Sequence, residues 1–166
     1  MVPHPDQQIT TANCAVITIS DSRTTETDQS GKIIQDLLID RGHCLVDYQI
    51  LQDEPQQILA MVQQLVAINN LDVIICNGGT GIAPRDTTYD AIAQILEKTL
   101  PGFGEIFRWL SFQEIGSRAI ASRAIAGIYQ NKLIFSLPGS SNAVRLAMTQ
   151  LILPEIAHLT KQLKGL

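Results

Sequence analysis

Apolar residues along this chain recur with two different periods, and the two alternate. Cys14-Ala15-Val16-Ile17-Thr18-Ile19 is a continuous, partly β-branched run of strand length that ends in Ser20-Asp21-Ser22. The polar residues 23–31 make a loop over that strand's end. Ile33, Ile34, Leu37 and Leu38 then return at helical spacing, and Arg41-Gly42 stops the helix. Cys44 to Leu51 is a second strand, left through Gln52-Asp53-Glu54-Pro55. Pro55 suits the first turn of a helix whose Ile58, Leu59, Val62, Leu65 and Val66 share one face. Val73-Ile74-Ile75-Cys76 is a third strand, and Ile92, Ile95 and Leu96 mark a third helix beyond a glycine-rich loop. This β-α-β-α-β-α order predicts a largely parallel sheet covered on both faces.

The second half is less regular. Leu100-Pro101-Gly102-Phe103-Gly104 reads as a break, and Glu105 to Phe112 as a helix. Its aromatic stripe, with Trp109, belongs to the core or to a subunit contact. Ser117 to Ser122 fits a helix or a strand equally. Residues 123–129 and 132–137 flank Gln130-Asn131 as a hairpin, so one strand should run antiparallel at the side of the sheet. Pro138-Gly139-Ser140-Ser141-Asn142 leads into the helical run Val144, Leu146, Ala147 and Leu151, and Pro154 begins or kinks a last helix ending near Leu163. A single α/β domain over residues 14–166, preceded by a loose polar tail over residues 1–13, accounts for the pattern.

Composition narrows the function classes. The 166 residues, 45% hydrophobic and 17% charged, suit one compact soluble domain. A net charge of −4 and the lack of a Lys/Arg cluster argue against a nucleic-acid surface. Any anionic ligand must therefore be held by local donors or a metal, since the overall field would repel it. Cys14, Cys44 and Cys76 are isolated within apolar runs, which predicts core residues in a reducing compartment. With neither a signal peptide nor a membrane span in the pattern, the expected location is cytoplasmic. His4, His43 and His158 fall at positions expected to lie on the surface, and no nucleophile motif accompanies them.

The chemistry gathers where strands end. Asn77-Gly78-Gly79-Thr80-Gly81 leaves a buried strand without Cβ atoms at Gly78, Gly79 and Gly81, so its N–H groups can approach a ligand. Pro84-Arg85-Asp86-Thr87 leads to a helix start, and together these form the elements of an anion site. The loop is neither a Walker A nor a dinucleotide fingerprint, and a tight structural turn remains an alternative reading. In a parallel sheet, Ser20-Asp21-Ser22, Asp53-Glu54, Gly78 to Asp86 and Pro138-Gly139-Ser140 would all reach one rim. Two carboxylates beside phosphate-binding backbone, Asp53 and Asp86, make sense if a divalent cation lies between them and a polyphosphate. Their structural alternatives are a turn residue before Pro55 and a helix N-cap.

Three ordered motifs carry a resemblance: Thr18-Ile19-Ser20-Asp21-Ser22, Asn77-Gly78-Gly79-Thr80-Gly81-Ile82-Ala83-Pro84-Arg85-Asp86 and Leu137-Pro138-Gly139-Ser140. Over nearly the whole chain the sequence resembles the MoaB/MogA family of molybdenum cofactor biosynthesis. Pro101-Gly102-Phe103-Gly104-Glu105, residues 107–116 and Ser122-Arg123-Ala124-Ile125-Ala126-Gly127 resemble the MoaB branch. The resemblance implies a three-layer α/β/α sandwich that forms trimers, or hexamers in the MoaB branch. It implies a molybdopterin adenylyltransferase, in which molybdopterin and ATP with Mg²⁺ give adenylyl-molybdopterin and pyrophosphate. It further implies that Gly78, Gly79, Thr80 and Gly81 cradle the pterin's phosphate. Asp53 and Asp86 match the family's catalytic acids, which makes them the implied Mg²⁺ ligands. Ser20, Asp21, Glu105, Ser122, Pro138, Gly139 and Ser140 match positions lining the pocket. Some MoaB relatives lack the acidic pair and are inactive in this step; both aspartates stand here. The molybdate-insertion enzyme is a further partner the resemblance implies, and the alternative function is a non-catalytic molybdopterin-binding or scaffolding oligomer. Ser140-Ser141 departs from relatives that place a proline after the Pro-Gly pair.

Overall fold

The computed structural model describes residues 11–165 of the chain. His4 and residues 1–10 of the expected tail lie outside the described residues. The element order is β1 (Asn13–Ile19), α1 (Gln29–Asp40), β2 (Cys44–Leu51), α2 (Pro55–Val66), β3 (Val73–Asn77), α3 (Thr88–Ile95), β4 (Lys98–Thr99), α4 (Pro101–Ile115), β5 (Ile125–Tyr129), β6 (Lys132–Leu137), α5 (Ser141–Ala147) and α6 (Leu153–Leu163). A 3₁₀ segment, Gly116–Ala121, follows α4, and a π-helical turn, Met148–Ile152, joins α5 to α6. Pro154 in the first turn of α6 has no N–H to donate, which suits a wide turn just before it.

The six strands lie in the order β2-β1-β3-β6-β5-β4. β2, β1, β3 and β6 are mutually parallel, and β5 alone runs against them, through the predicted hairpin with β6. Alternate strand positions feed two cores. Cys14, Val16, Val73, Ile75, Leu133 and Phe135 pack with Ile34, Phe107, Val144 and Ile156 of α1, α4, α5 and α6. Ala15, Ile17, Ile74, Cys76 and Ile134 pack with Ile58, Val62 and Ile92 of α2 and α3. The result is a three-layer α/β/α sandwich, as expected, with the parallel strands' C-terminal ends on one rim.

Several local expectations are corrected. β1 begins at Asn13 and Ala12 is fully buried, so order starts inside the stretch expected to be a tail. His43 is buried rather than on the surface: its Nδ1 accepts the Ala12 N–H, and burial, helped by the Arg41 charge, lowers its pKa. Cys44 is exposed rather than a core residue, because β2 is an edge strand. The expected break at residues 100–104 is the first turn of α4, with Pro101 opening the helix. Gly104 is tolerated in that helix because a Cβ there would lie 2.8 Å from the Ala124 carbonyl oxygen. β4 is too short and exposed to leave any apolar pattern in the sequence.

The aromatic stripe of α4 divides. Phe107 is buried and Phe103 packs edge-on against Phe135, with centroids 5.2 Å apart. Ile106, Trp109, Phe112 and Ile115 face outward, and Ile120 of the 3₁₀ segment is exposed with them.

At the β5–β6 turn, Gln130 (φ 46°) and Asn131 (φ 59°) both hold left-handed backbone, as a two-residue type I′ turn requires. Asparagine tolerates this conformation better than glutamine. Gln130→Asn should therefore raise stability by about 0.5 kcal/mol, measured by urea denaturation.

Candidate functional site

Four loops leave the C-terminal ends of β1, β2, β3 and β6. Three of them meet around a cavity of about 470 Å³, lined by Ile19, Ser20, Ser22, Arg23, the Gly78–Gly81 loop, Asp86, Pro138 and Gly139. The far wall is the 3₁₀ segment and the residue after it, which contribute Arg118, Ala121 and Ser122. The β2 loop lies beneath and beside the glycine loop and supports it.

The glycine loop is forced into its path. Gly78 (φ 104°) would place a Cβ 2.1 Å from the Ile19 carbonyl oxygen of the neighbouring strand. Gly79 (φ 63°) would place one 2.2 Å from Thr88 Oγ1 and 2.3 Å from Asp53 Oδ2. Any side chain at either position would push the loop outward.

Asp53 is the post on which this loop rests. It is 4% exposed, and its Oδ1 accepts from Thr87 Oγ1 at 2.7 Å, Thr88 Oγ1 at 3.1 Å and Thr87 N at 3.2 Å. Oδ2 shares the Thr87 N–H at 3.2 Å and lies against Gly79. A carboxylate thus stands at the start of α3, taking a donor that the helix leaves unpaired. It is therefore more than the turn residue the sequence offered as the alternative.

Asp86 is placed differently. It is half-buried and lines the cavity, its Oδ2 accepting the Ala83 N–H at 3.1 Å and lying beside Gly81. Oδ1 takes no hydrogen bond among the described residues. The N-cap of α3 is Thr87, so Asp86 is not a helix cap. Asp86 also lines a second hollow of about 390 Å³ on the other side of the loop, with Pro55, Ile82, Pro84, Thr87 and Arg123. The two acids thus lie on the same loop from opposite sides, one beneath it and one opening onto both hollows.

Arg85 ties the loops together at the surface. Its Nε and Nη2 donate to the two oxygens of Asp21 at 2.8 and 2.9 Å, and Nη1 donates to Glu54 at 2.6 Å. These hydrogen bonds push the Arg85 pKa up, and the Arg85 bonds, with the Asp53 N–H, hold Asp21 below the usual carboxylate range. Arg123 braces the other side: it donates to the Gly81 carbonyl at 3.0 Å, pairs with Asp90 and lies 4.3 Å from the Tyr89 ring centroid.

Of the expected pocket residues, Ser20, Gly78, Gly79, Thr80, Gly81, Asp86, Ser122, Pro138 and Gly139 come together around the cavity. The others stand elsewhere. Asp21 is engaged by Arg85, and Ser140 caps α5 by accepting the Ala143 N–H. Glu105 lies on the exposed face of α4 beside a separate small hollow with Tyr89 and Arg108. Ser140 is thereby a cap in its own right, which gives the Ser140-Ser141 departure from a proline a local role.

Two arginines on the cavity wall escaped the sequence reading. Arg23 falls in the polar stretch taken as a plain loop, although a basic residue just past a strand's C-terminal end was a usable signal. Its guanidinium donates to Asp28 at 3.4 Å, to Ser30 and to the Gly139 carbonyl at 2.9 Å. Asp28 is buried and also accepts from Tyr48 Oη at 2.6 Å and from the Gly31 N–H at 3.0 Å, capping α1. Burial works to raise the Asp28 pKa, but the bonds from Thr18, Tyr48, Gly31 and Ser30 win and hold it low. Arg118 lies in the segment that fitted helix and strand equally, and nothing in the sequence marked it.

A mostly parallel α/β sandwich whose glycine loop borders a cavity at the C-terminal rim is the class of fold that can take a ligand at that rim. The comparisons narrow this. A family described as "Probable molybdopterin binding domain" matches residues 15–158. Molybdenum cofactor biosynthesis protein B of Halalkalibacterium halodurans is 51% identical over 161 residues, covering 96% of this chain and 95% of that one. The protein of the same name from Bacillus subtilis is 48% identical over 162 residues, covering 97% and 95%. A crystal structure of a molybdenum cofactor biosynthesis protein B superposes with a TM-score of 0.93 at 46% identity, covering 96% of this chain and 100% of that one. The tungsten cofactor synthesizing protein MoaB from Pyrococcus furiosus gives 0.83 at 35% identity, covering 93% and 98%. This chain belongs to the MoaB/MogA family of molybdopterin-binding domains.

The placement of the two aspartates predicts stability effects of different size. Asp53→Asn should cost about 1–3 kcal/mol, because it removes the charge from a buried acceptor of several hydrogen bonds. Asp86→Asn, which keeps an oxygen for Ala83, should change stability by less than about 0.5 kcal/mol. Urea denaturation of the two variants measures both.

Proposed function

We propose that this protein acts in molybdenum cofactor biosynthesis as a molybdopterin adenylyltransferase. The observation that carries the reading is Asp86, which stands between two hollows that share the glycine loop. In this reading one hollow takes the pterin with its terminal phosphate on the Gly78–Gly81 N–H groups, and the other takes the nucleotide. A phosphate oxygen of molybdopterin attacks the α-phosphorus of ATP. The new P–O bond forms as the bond to the β-phosphate oxygen breaks, and pyrophosphate leaves. A phosphate nucleophile is already anionic at neutral pH, so the work of the chain is alignment and charge compensation.

Mg²⁺ accompanies ATP in this reaction, and the two acids fit it unequally. Magnesium takes one or two carboxylates together with substrate phosphates and water. Asp86, with Oδ1 unengaged, suits that role; Asp53, with both oxygens already accepting, does not. The ion would be held by Asp86 and the ATP phosphates, where it would neutralise charge developing on pyrophosphate. Asp53 serves by holding the loop and the start of α3. Ser20, whose Oγ accepts the N–H groups of Ser22 and Arg23, shapes the first loop of the wall.

A second reading, a non-catalytic molybdopterin-binding scaffold, draws support from Asp53 being occupied with bracing. One assay separates the two. Incubation with molybdopterin, ATP and Mg²⁺ should yield adenylyl-molybdopterin and pyrophosphate, and Asp86→Asn should lower the rate by about a hundredfold or more. Pterin binding should remain largely intact in that variant. Binding without turnover in the unsubstituted protein would select the scaffold.

The same reading makes the chain a homo-oligomer, trimer or hexamer, and gives the outward face of α4 a purpose. Trp109, 62% exposed, and Phe112, 59% exposed, would be covered by a second copy. Sedimentation of the full-length protein should give an oligomer, and Trp109→Lys should shift it toward a smaller mass.

A further inference from the structure

The cavity wall carries two arginines, and their surroundings give them different work. The Arg23 guanidinium is paired with the buried Asp28 carboxylate and spends further N–H groups on Ser30 and the Gly139 carbonyl. Its charge is compensated within the fold, and its bonds join the β1–α1 loop to the β6–α5 turn across the cavity. Tyr48 fixes Asp28 from the other side, through the 2.6 Å bond to Oδ2. Arg118 is exposed, lines the same cavity, and has no acidic partner among the described residues. The chain goes to some length to present it. Gly116 (φ 63°) ends α4 and turns the backbone into the 3₁₀ segment, and buried Ala119 pins that segment beside the sheet rim.

We infer that Arg118 is the residue that supplies uncompensated positive charge to the anion in this cavity, with Arg23 as a positioning residue that sets the width of the wall. The inference rests on the reading of the cavity as a phosphate site and goes beyond it by naming the cation. A chain with a net charge of −4 offers no general attraction to an anion, and the Asp86 carboxylate on the same wall would repel one, so the unpaired Arg118 guanidinium is the charge that offsets both at the glycine loop. The glycine-loop N–H groups give direction to a phosphate; Arg118 adds charge and a planar pair of donors. Its contribution is to binding affinity and is screened by salt, because the side chain is exposed.

Inorganic phosphate, the group this reading places on the glycine loop, serves as the probe in calorimetric titration of the full chain. Arg118→Met should weaken binding about ten- to a hundredfold, and Arg118→Lys should recover part of the loss. The drop in affinity between low and high salt should be smaller in Arg118→Met than in the unsubstituted protein. Arg145→Met removes the same charge from the exposed face of α5, outside the cavity, and should leave binding unchanged. Circular dichroism shows whether each variant is folded; loss of binding with loss of fold in Arg118→Met would itself overturn the inference, since an unpartnered exposed side chain should not be needed for folding. Equal affinity in Arg118→Met and the unsubstituted protein would overturn it while leaving the phosphate site standing. No binding of inorganic phosphate by the unsubstituted protein would overturn the phosphate site and the inference together.

Discussion

A buried carboxylate under a glycine loop is the contact on which the site depends. Asp53 comes from the end of β2, yet every donor it receives comes from the start of α3. One side chain therefore joins the edge strand of the sheet to the loop after its third strand. Because Gly79 lies against the same carboxylate, the loop can take only one height above the sheet. The surface ion pairs of Arg85 with Asp21 and Glu54 repeat this connection outside, where solvent screening makes each pair weak. The inner contact sets the geometry, and the outer ones close over it.

Under the proposed function, that arrangement gives different roles to the two acids that family likeness pairs. Asp53 and Asp86 meet at the glycine loop, carried there by the ends of β2 and β3, the parallel strands on either side of β1. Their surroundings differ in the one respect that matters for chemistry, the availability of lone pairs. Asp53 accepts on both oxygens from the start of α3, whereas Asp86 keeps one oxygen without a bond among the described residues. The same distinction applies to the cavity's two arginines, where the compensated one holds the wall and the unpaired one stays open to the cavity.

Much of this was legible in the sequence. Continuous β-branched runs separated by helical periods announced the parallel sheet, and Gln130-Asn131 announced the hairpin. The glycine loop and Asp86 followed from residue types that have few other reasons to stand together after a strand. What escaped was settled by position in three dimensions. Cys44 and Cys14 look alike in sequence, but one lies on an edge strand and the other against two neighbours. Glu105 and Ser140 match a family pattern, and the structure adds what no pattern announced: Glu105 is exposed on α4, and the Ser140 hydroxyl accepts the Ala143 N–H. Arg118 had no signal, because a six-residue 3₁₀ segment has neither a strand's nor a helix's period.

The contrast among the three thiols has a practical side. Burial pushes Cys14 and Cys76 up to about 12, so neither forms thiolate at neutral pH, and neither is reachable from solvent. Cys44 is exposed and begins β2, whose far end, about 25 Å away along the strand, leads to the loop that carries Asp53. A maleimide fluorophore would therefore attach at one point, without engineered cysteines, on the side of the subunit away from the ligand rim. The native chain carries its own attachment point for watching ligands arrive by energy transfer.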